Sequence, residues 1–113
     1  MKPKVIVDTS VLVEYFRHPD SNEKSEVDVL LKEDRALLAG IILSELLQGT
    51  RDESEFKLLH SSLSALPFCE ASFDTWVKTG HVSRLLRKRG VVIPLSDCLI
   101  AALALENNCL IYT

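Results

Sequence analysis

The sequence is short of everything that marks a membrane, fibrous or disulfide-built protein. No apolar run approaches the ~20 residues that cross a bilayer. The opening Val5-Ile6-Val7 stretch is cut off by Asp8, too soon for a secretory signal. Glycine and proline number only four each, which excludes collagen-like, mucin-like and disordered compositions. Three cysteines (Cys69, Cys98 and Cys109) form no CxxC pair, and their odd number leaves one outside any disulfide scheme. Cys98 and Cys109 sit among apolar residues, where a reduced thiol acts as a small hydrophobe. A cytoplasmic protein with inert thiols is the expectation. His18, His60 and His81 are isolated, with no zinc-ligand spacing. There is no GxxxxGK[ST] or GxGxxG phosphate loop, and no GxSxG elbow for a serine nucleophile.

What remains is an ordinary globular composition. The chain has 113 residues, 47% hydrophobic and 26% charged, which suits one domain with a modest core. Thirteen basic against sixteen acidic side chains leave a formal charge of −3. Such a protein does not coat nucleic acid through its net charge, although one local basic face could still hold it.

Short strands alternate with helices along the chain. Val5–Val7 reads as a buried strand, with Thr9 or Ser10 opening a helix that carries Val11, Leu12, Tyr15 and Phe16. Residues 18–25 contain Pro19 and read as a loop, and Glu26–Lys32 as a second helix. Arg35–Ala39 is a second strand, followed by a helix over Ile41–Gln48 that stops at Gly49. Asp52 caps a fourth helix, and Pro67–Cys69 is a third strand. Ser72 caps a long helix to Arg89, closed by Gly90, on which Phe73 and Trp76 read as core. Val91–Ile93 is an extended link, Ser96 or Asp97 starts an apolar helix to Leu105, and Cys109–Tyr112 is a last strand. This order predicts an α/β fold, a short parallel sheet flanked by helices in three layers.

Three acids resist a purely structural reading. Asp8 ends a buried strand, where open α/β sheets place ligands, and it could equally cap the next helix. Glu45 shares a helical stripe with Ile41 and Ile42 and is flanked by Leu46 and Leu47. Buried there, it needs a cation, a metal or a proton; at the helix edge it would reach solvent. Asp97 opens an apolar helix, a place the helix dipole alone would favour. A parallel sheet can gather all three at one edge, where Mg²⁺ or Mn²⁺ is the usual relief of carboxylate repulsion.

The residues around these acids resemble the motifs of the PIN-domain ribonucleases, in particular the VapC-like toxins of toxin–antitoxin pairs. Val5-Ile6-Val7-Asp8-Thr9-Ser10 is similar to the first motif, and Ser44-Glu45-Leu46-Leu47-Gln48-Gly49 to the second. Arg87-Lys88-Arg89-Gly90 with Ile93-Pro94-Leu95-Ser96-Asp97-Cys98 resembles the third. The order is kept over 37 positions from Asp8 to Glu45 and 52 from Glu45 to Asp97. The resemblance implies a metal-dependent endoribonuclease of the cytoplasm, acting on an RNA such as tRNA, with Asp8, Glu45 and Asp97 as catalytic residues. Asp8 and Asp97 would ligate Mg²⁺ or Mn²⁺, Glu45 would join them directly or through water, and an activated water would attack phosphorus in line. Ser10 would hydrogen-bond a ligand, or cap its helix instead.

The family pattern continues past the last strand into Thr-x-Asp. Here Tyr112-Thr113 matches its beginning, so a single domain over residues 1–113 that lacks the family's C-terminal end and fourth acid is expected. Thr113 would stand beside the metal ligands. That departure keeps a second reading open, a catalytically weak module that binds RNA or an antitoxin. Arg84, Arg87, Lys88 and Arg89 cluster where they could contact RNA phosphates, or simply suit a helix C-terminus. A cognate antitoxin would use Tyr15, Phe16 or Leu30 among the N-terminal helices, and a homodimer without membrane contact completes the implied picture.

Overall fold

A computed structural model describes residues 2–113. Its centre is a four-stranded parallel sheet in the order β3-β2-β1-β4, built from β1 (Val5–Val7), β2 (Ala36–Ala39), β3 (Phe68–Cys69) and β4 (Leu110–Tyr112). Val5 stands opposite Ala36 on one side and Leu110 on the other, which fixes the register of the inner strands. Every residue of β1 and β2 is buried. Such continuous apolar strands belong to a sheet covered on both faces, so the architecture is three-layered.

Six helices supply the cover: α1 (Thr9–Arg17), α2 (Asn22–Lys32), α3 (Gly40–Gln48), α4 (Glu53–Leu63), α5 (Phe73–Lys88) and α6 (Leu95–Asn107). Val11, Leu12, Val27, Ile42, Leu46, Leu63, Leu99 and Leu103 meet the strands in one core. Burial of this kind, worth roughly 1.5–3 kcal/mol for a large aliphatic side chain, is the main source of stability.

The caps follow the sequence closely. Asp52 accepts from the Glu55 amide at 2.8 Å, and Ser72 and Thr75 form a reciprocal capping box that opens α5. Most boundaries shift by one or two residues, α6 running Leu95–Asn107, and the largest difference is at α2. α2 begins at Asn22 rather than Glu26, because the Ser21 hydroxyl accepts from the Lys24 amide at 3.1 Å and Glu23 complements the dipole. Gly90, with φ of 79°, closes α5 in a left-handed conformation that suits glycine.

α5 and α6 form an antiparallel hairpin. The Thr75 hydroxyl near the start of α5 donates to Glu106 near the end of α6 at 2.8 Å, and Lys78 pairs with the same carboxylate at 3.1 Å. Thr75 and Thr79 are therefore the buried face of α5. That register turns Phe73 and Trp76 outward, 81% and 52% exposed, which corrects the expectation that they belong to the core. Leu30, by contrast, is buried and cannot line a partner groove. All three cysteines are free thiols, and burial raises the pKa of Cys69 and of Cys109. Among the described residues no helix is long and apolar enough to cross a membrane.

Candidate functional site

Asp8 sits at the junction of β1 and α1. It occupies the N-cap position, with extended φ and ψ of −70° and 159°, yet its side chain makes no capping hydrogen bond. The carboxylate instead accepts from the Thr113 hydroxyl at 3.1 Å, while its backbone amide bonds the Tyr112 carbonyl at 2.9 Å. Capping therefore does not account for this acid.

Glu45 lies halfway along α3, at the edge of the buried face formed by Ile42 and Leu46. It is half-buried, and its Oε1 accepts from the Thr9 hydroxyl at 2.9 Å. Thr9 is the neighbour of Asp8, about 3.8 Å away along the backbone. The bond therefore ties the acid of α3 to the residue beside the acid of β1. Both stand where β1 and β2 finish.

Asp97 is in the first turn of α6 and is exposed. Its amide bonds the Pro94 carbonyl at 3.0 Å, and among the described residues its side chain makes no hydrogen bond. Leu99, one half-turn further on, lines one cavity with Gly40, Ile41 and Ser44 at the start of α3. The first turns of α6 are thus beside the edge where β2 ends, the same edge as Asp8.

Among the described residues none of Asp8, Glu45 and Asp97 forms an ion pair with lysine, arginine or histidine. Their oxygen-only donor set fits a hard divalent cation. Among the described residues no three histidine, cysteine or acidic side chains are gathered as a ready-made metal cage. The three acids stand on three separate elements: the β1–α1 junction, α3 and α6.

Glu45 also opens onto a cleft of about 660 Å³ between α1, α3 and α4, lined by Phe16, Arg17, Thr50 and Arg51. Arg51 is partly engaged by Glu55 at 3.2 Å. Phe16, 40% exposed, also borders an apolar cavity of about 240 Å³ with Tyr15, Leu31 and Leu66. At the other end of the molecule's chain order, Arg84, Arg87, Lys88 and Arg89 are exposed. The antiparallel hairpin places the last turn of α5 at the same end as the first turn of α6, and so on the side of Asp97.

Among the described residues the Ser10 side chain makes no hydrogen bond, either to an acid or as a cap. The hydroxyl that reaches an acid belongs to its neighbour, Thr9. Nothing in sequence order pairs Thr9 with a residue 36 positions away, and only the packing of α1 on α3 does so. Arg17 and Arg51 were likewise single cations without a pattern.

The model of the PIN domain family matches residues 5–113. VapC ribonuclease Mb1587 of Mycobacterium bovis is 34% identical over 109 residues, covering 92% of this chain and 81% of that protein. Ribonuclease VapC11 of Mycobacterium tuberculosis has the same identity and coverage. Among solved structures, VapBC2 from Rickettsia felis, bound to a DNA fragment from its promoter, has a TM-score of 0.81 at 21% identity. The match covers 96% of this chain and 85% of that one, and at this identity it shows a shared fold.

Proposed function

The chain belongs to the PIN domain family, and from that premise we propose that it is a divalent-metal-dependent endoribonuclease, the toxin of a toxin–antitoxin pair. One observation supports this reading: three acids follow the family's order, and among the described residues none of them is paired with a cation. Asp8, Glu45 and Asp97 would hold Mg²⁺ or Mn²⁺. When bound, the cation lowers the pKa of water and offsets the charge that builds up at phosphorus.

The chain's own residues do the positioning. Thr113 holds Asp8 Oδ2 and Thr9 holds Glu45 Oε1, and among the described residues the other oxygen of each carboxylate has no hydrogen-bond partner. Arg84, Arg87, Lys88 and Arg89, at the hairpin tip, would take phosphates of the RNA as it approaches the acids. Arg17 and Arg51 would do so on the Glu45 side. An antitoxin segment would lie along the clefts that Phe16 joins, using Tyr15 and Phe16 rather than Leu30. The outward Phe73, Trp76 and Val77 of α5 favour a second copy as a further partner. The work would take place in the cytoplasm.

The test is cleavage of tRNA and total RNA by the purified chain, with Mg²⁺ or Mn²⁺ added to metal-stripped protein. Cleavage should require the metal and vanish in Asp97→Asn while the circular dichroism spectrum is kept. Undiminished cleavage by Asp97→Asn would remove the metal-site assignment. RNA binding with no cleavage in the native chain would favour the binding-module reading.

A further inference from the structure

We infer that Thr9 is the positioning residue of Glu45, fixing the direction in which that carboxylate meets a metal or its water. The inference rests on the reading of Glu45 as a metal-site acid given above. Thr9 is the first residue of α1, one place past the N-cap, where its hydroxyl has no local task. Among the described residues its side chain makes a single hydrogen bond, to Glu45 Oε1 at 2.9 Å across 36 positions. Glutamate brings three rotatable side-chain bonds, and a half-buried one beside open space samples several rotamers unless a partner selects one. With Oε1 held, Oε2 has no hydrogen-bond partner among the described residues.

The placement gives the contact its value. Thr9 follows Asp8 directly, so one peptide unit links an acid to the hydroxyl that holds the second acid. Movement of Glu45 relative to Asp8 is limited by that short covalent path rather than by the longer path through β2 and α3. A merely structural tie between α1 and α3 would look the same in a static picture. It would differ in what its loss does.

The experiment compares the native chain with Thr9→Val, Thr9→Ser and Glu45→Gln. Valine keeps the β-branched shape and removes only the hydroxyl; serine restores the hydroxyl. Two readouts are taken: Mn²⁺ affinity by titration calorimetry without RNA, and kcat and KM for RNA cleavage. Thr9→Val should weaken Mn²⁺ binding and lower kcat by about tenfold each, as loss of a ligand-orienting hydrogen bond does. KM for RNA should stay within about twofold, and the metal-free unfolding midpoint within about 2 °C. Thr9→Ser should recover most of both losses. Native Mn²⁺ affinity and kcat in Thr9→Val, with Glu45→Gln impaired, would overturn the role of Thr9 alone. So would a loss that Thr9→Ser fails to restore. Glu45→Gln indistinguishable from the native chain would overturn the reading of Glu45 itself, and the role of Thr9 with it.

Discussion

Two glutamates of this protein have similar hydroxyl partners and differ in the charge beside them. Glu45 and Glu106 are both half-buried on helices, and each accepts a hydrogen bond from a threonine far away in sequence, Thr9 at 2.9 Å and Thr75 at 2.8 Å. Glu106 also has Lys78 at 3.1 Å, so its charge is balanced within the α5–α6 hairpin. Its carboxyl is held below the usual glutamate range, first by the Thr75 hydroxyl and then by Lys78. Among the described residues Glu45 has no such cation. A hydroxyl orients a carboxylate without neutralising it. An acid whose charge is balanced inside the fold thus contrasts with one that has no cation partner among the described residues.

The largest way to sharpen that difference acts on the acids at the sheet edge. Asp8→Asn and Asp97→Asn should each lower metal-dependent RNA cleavage by about a hundredfold or more, since loss of even an outer hydrogen bond at a metal site costs 10–100-fold. The unfolding midpoint without metal should fall by no more than a few degrees, because among the described residues neither side chain caps a helix or forms an ion pair, and Asp8 keeps its exposed Thr113 contact as an amide. Gel-based cleavage together with thermal unfolding checks both halves.

Next comes the fold side of the pair. Thr75→Val removes the hydroxyl that donates to Glu106 and accepts from the Ser72 amide at 3.0 Å. Losing the hydrogen bonds of this buried hydroxyl should cost about 1–3 kcal/mol in urea unfolding. Mn²⁺ affinity should not change. Thr9→Val should show the opposite pattern, with metal affinity and kcat lowered and stability kept.

The smallest effect is one of pH. Since folding lowers the Glu106 pKa, the charged form is favoured in the folded state. The resulting stability is complete above the unfolded value of about 4.3. It is lost as the pH falls through the lower folded value. Between about pH 5 and 3, the native chain should therefore lose stability more steeply than Glu106→Gln. Parallel curves would show that the hairpin pair contributes nothing measurable.

Much of this was legible from residue order. The strands around Val5–Val7 and Ala36–Ala39 are short apolar runs bounded by an acid or a glycine, the pattern of strands buried on both faces. The three acids stood out because each breaks an apolar pattern. What the order could not show is which neighbours meet. Ser10 and Thr9 offer the same hydroxyl one position apart, and the rotation of α1 against α3 decides that Thr9 reaches Glu45. Phe73 and Trp76 have a core residue's composition, but the buried Thr75 and Thr79 set the rotation of α5 and turn them out. Helix rotation is a property of packing, and a lone helix does not encode it.

The most direct measurement is calorimetric titration of Mn²⁺ into metal-stripped protein as the native chain, Glu45→Gln and Glu106→Gln. Glu106→Gln should bind as the native chain does, and Glu45→Gln should bind at least about tenfold more weakly. Equal affinity in all three would contradict the assignment of Glu45 to a metal site.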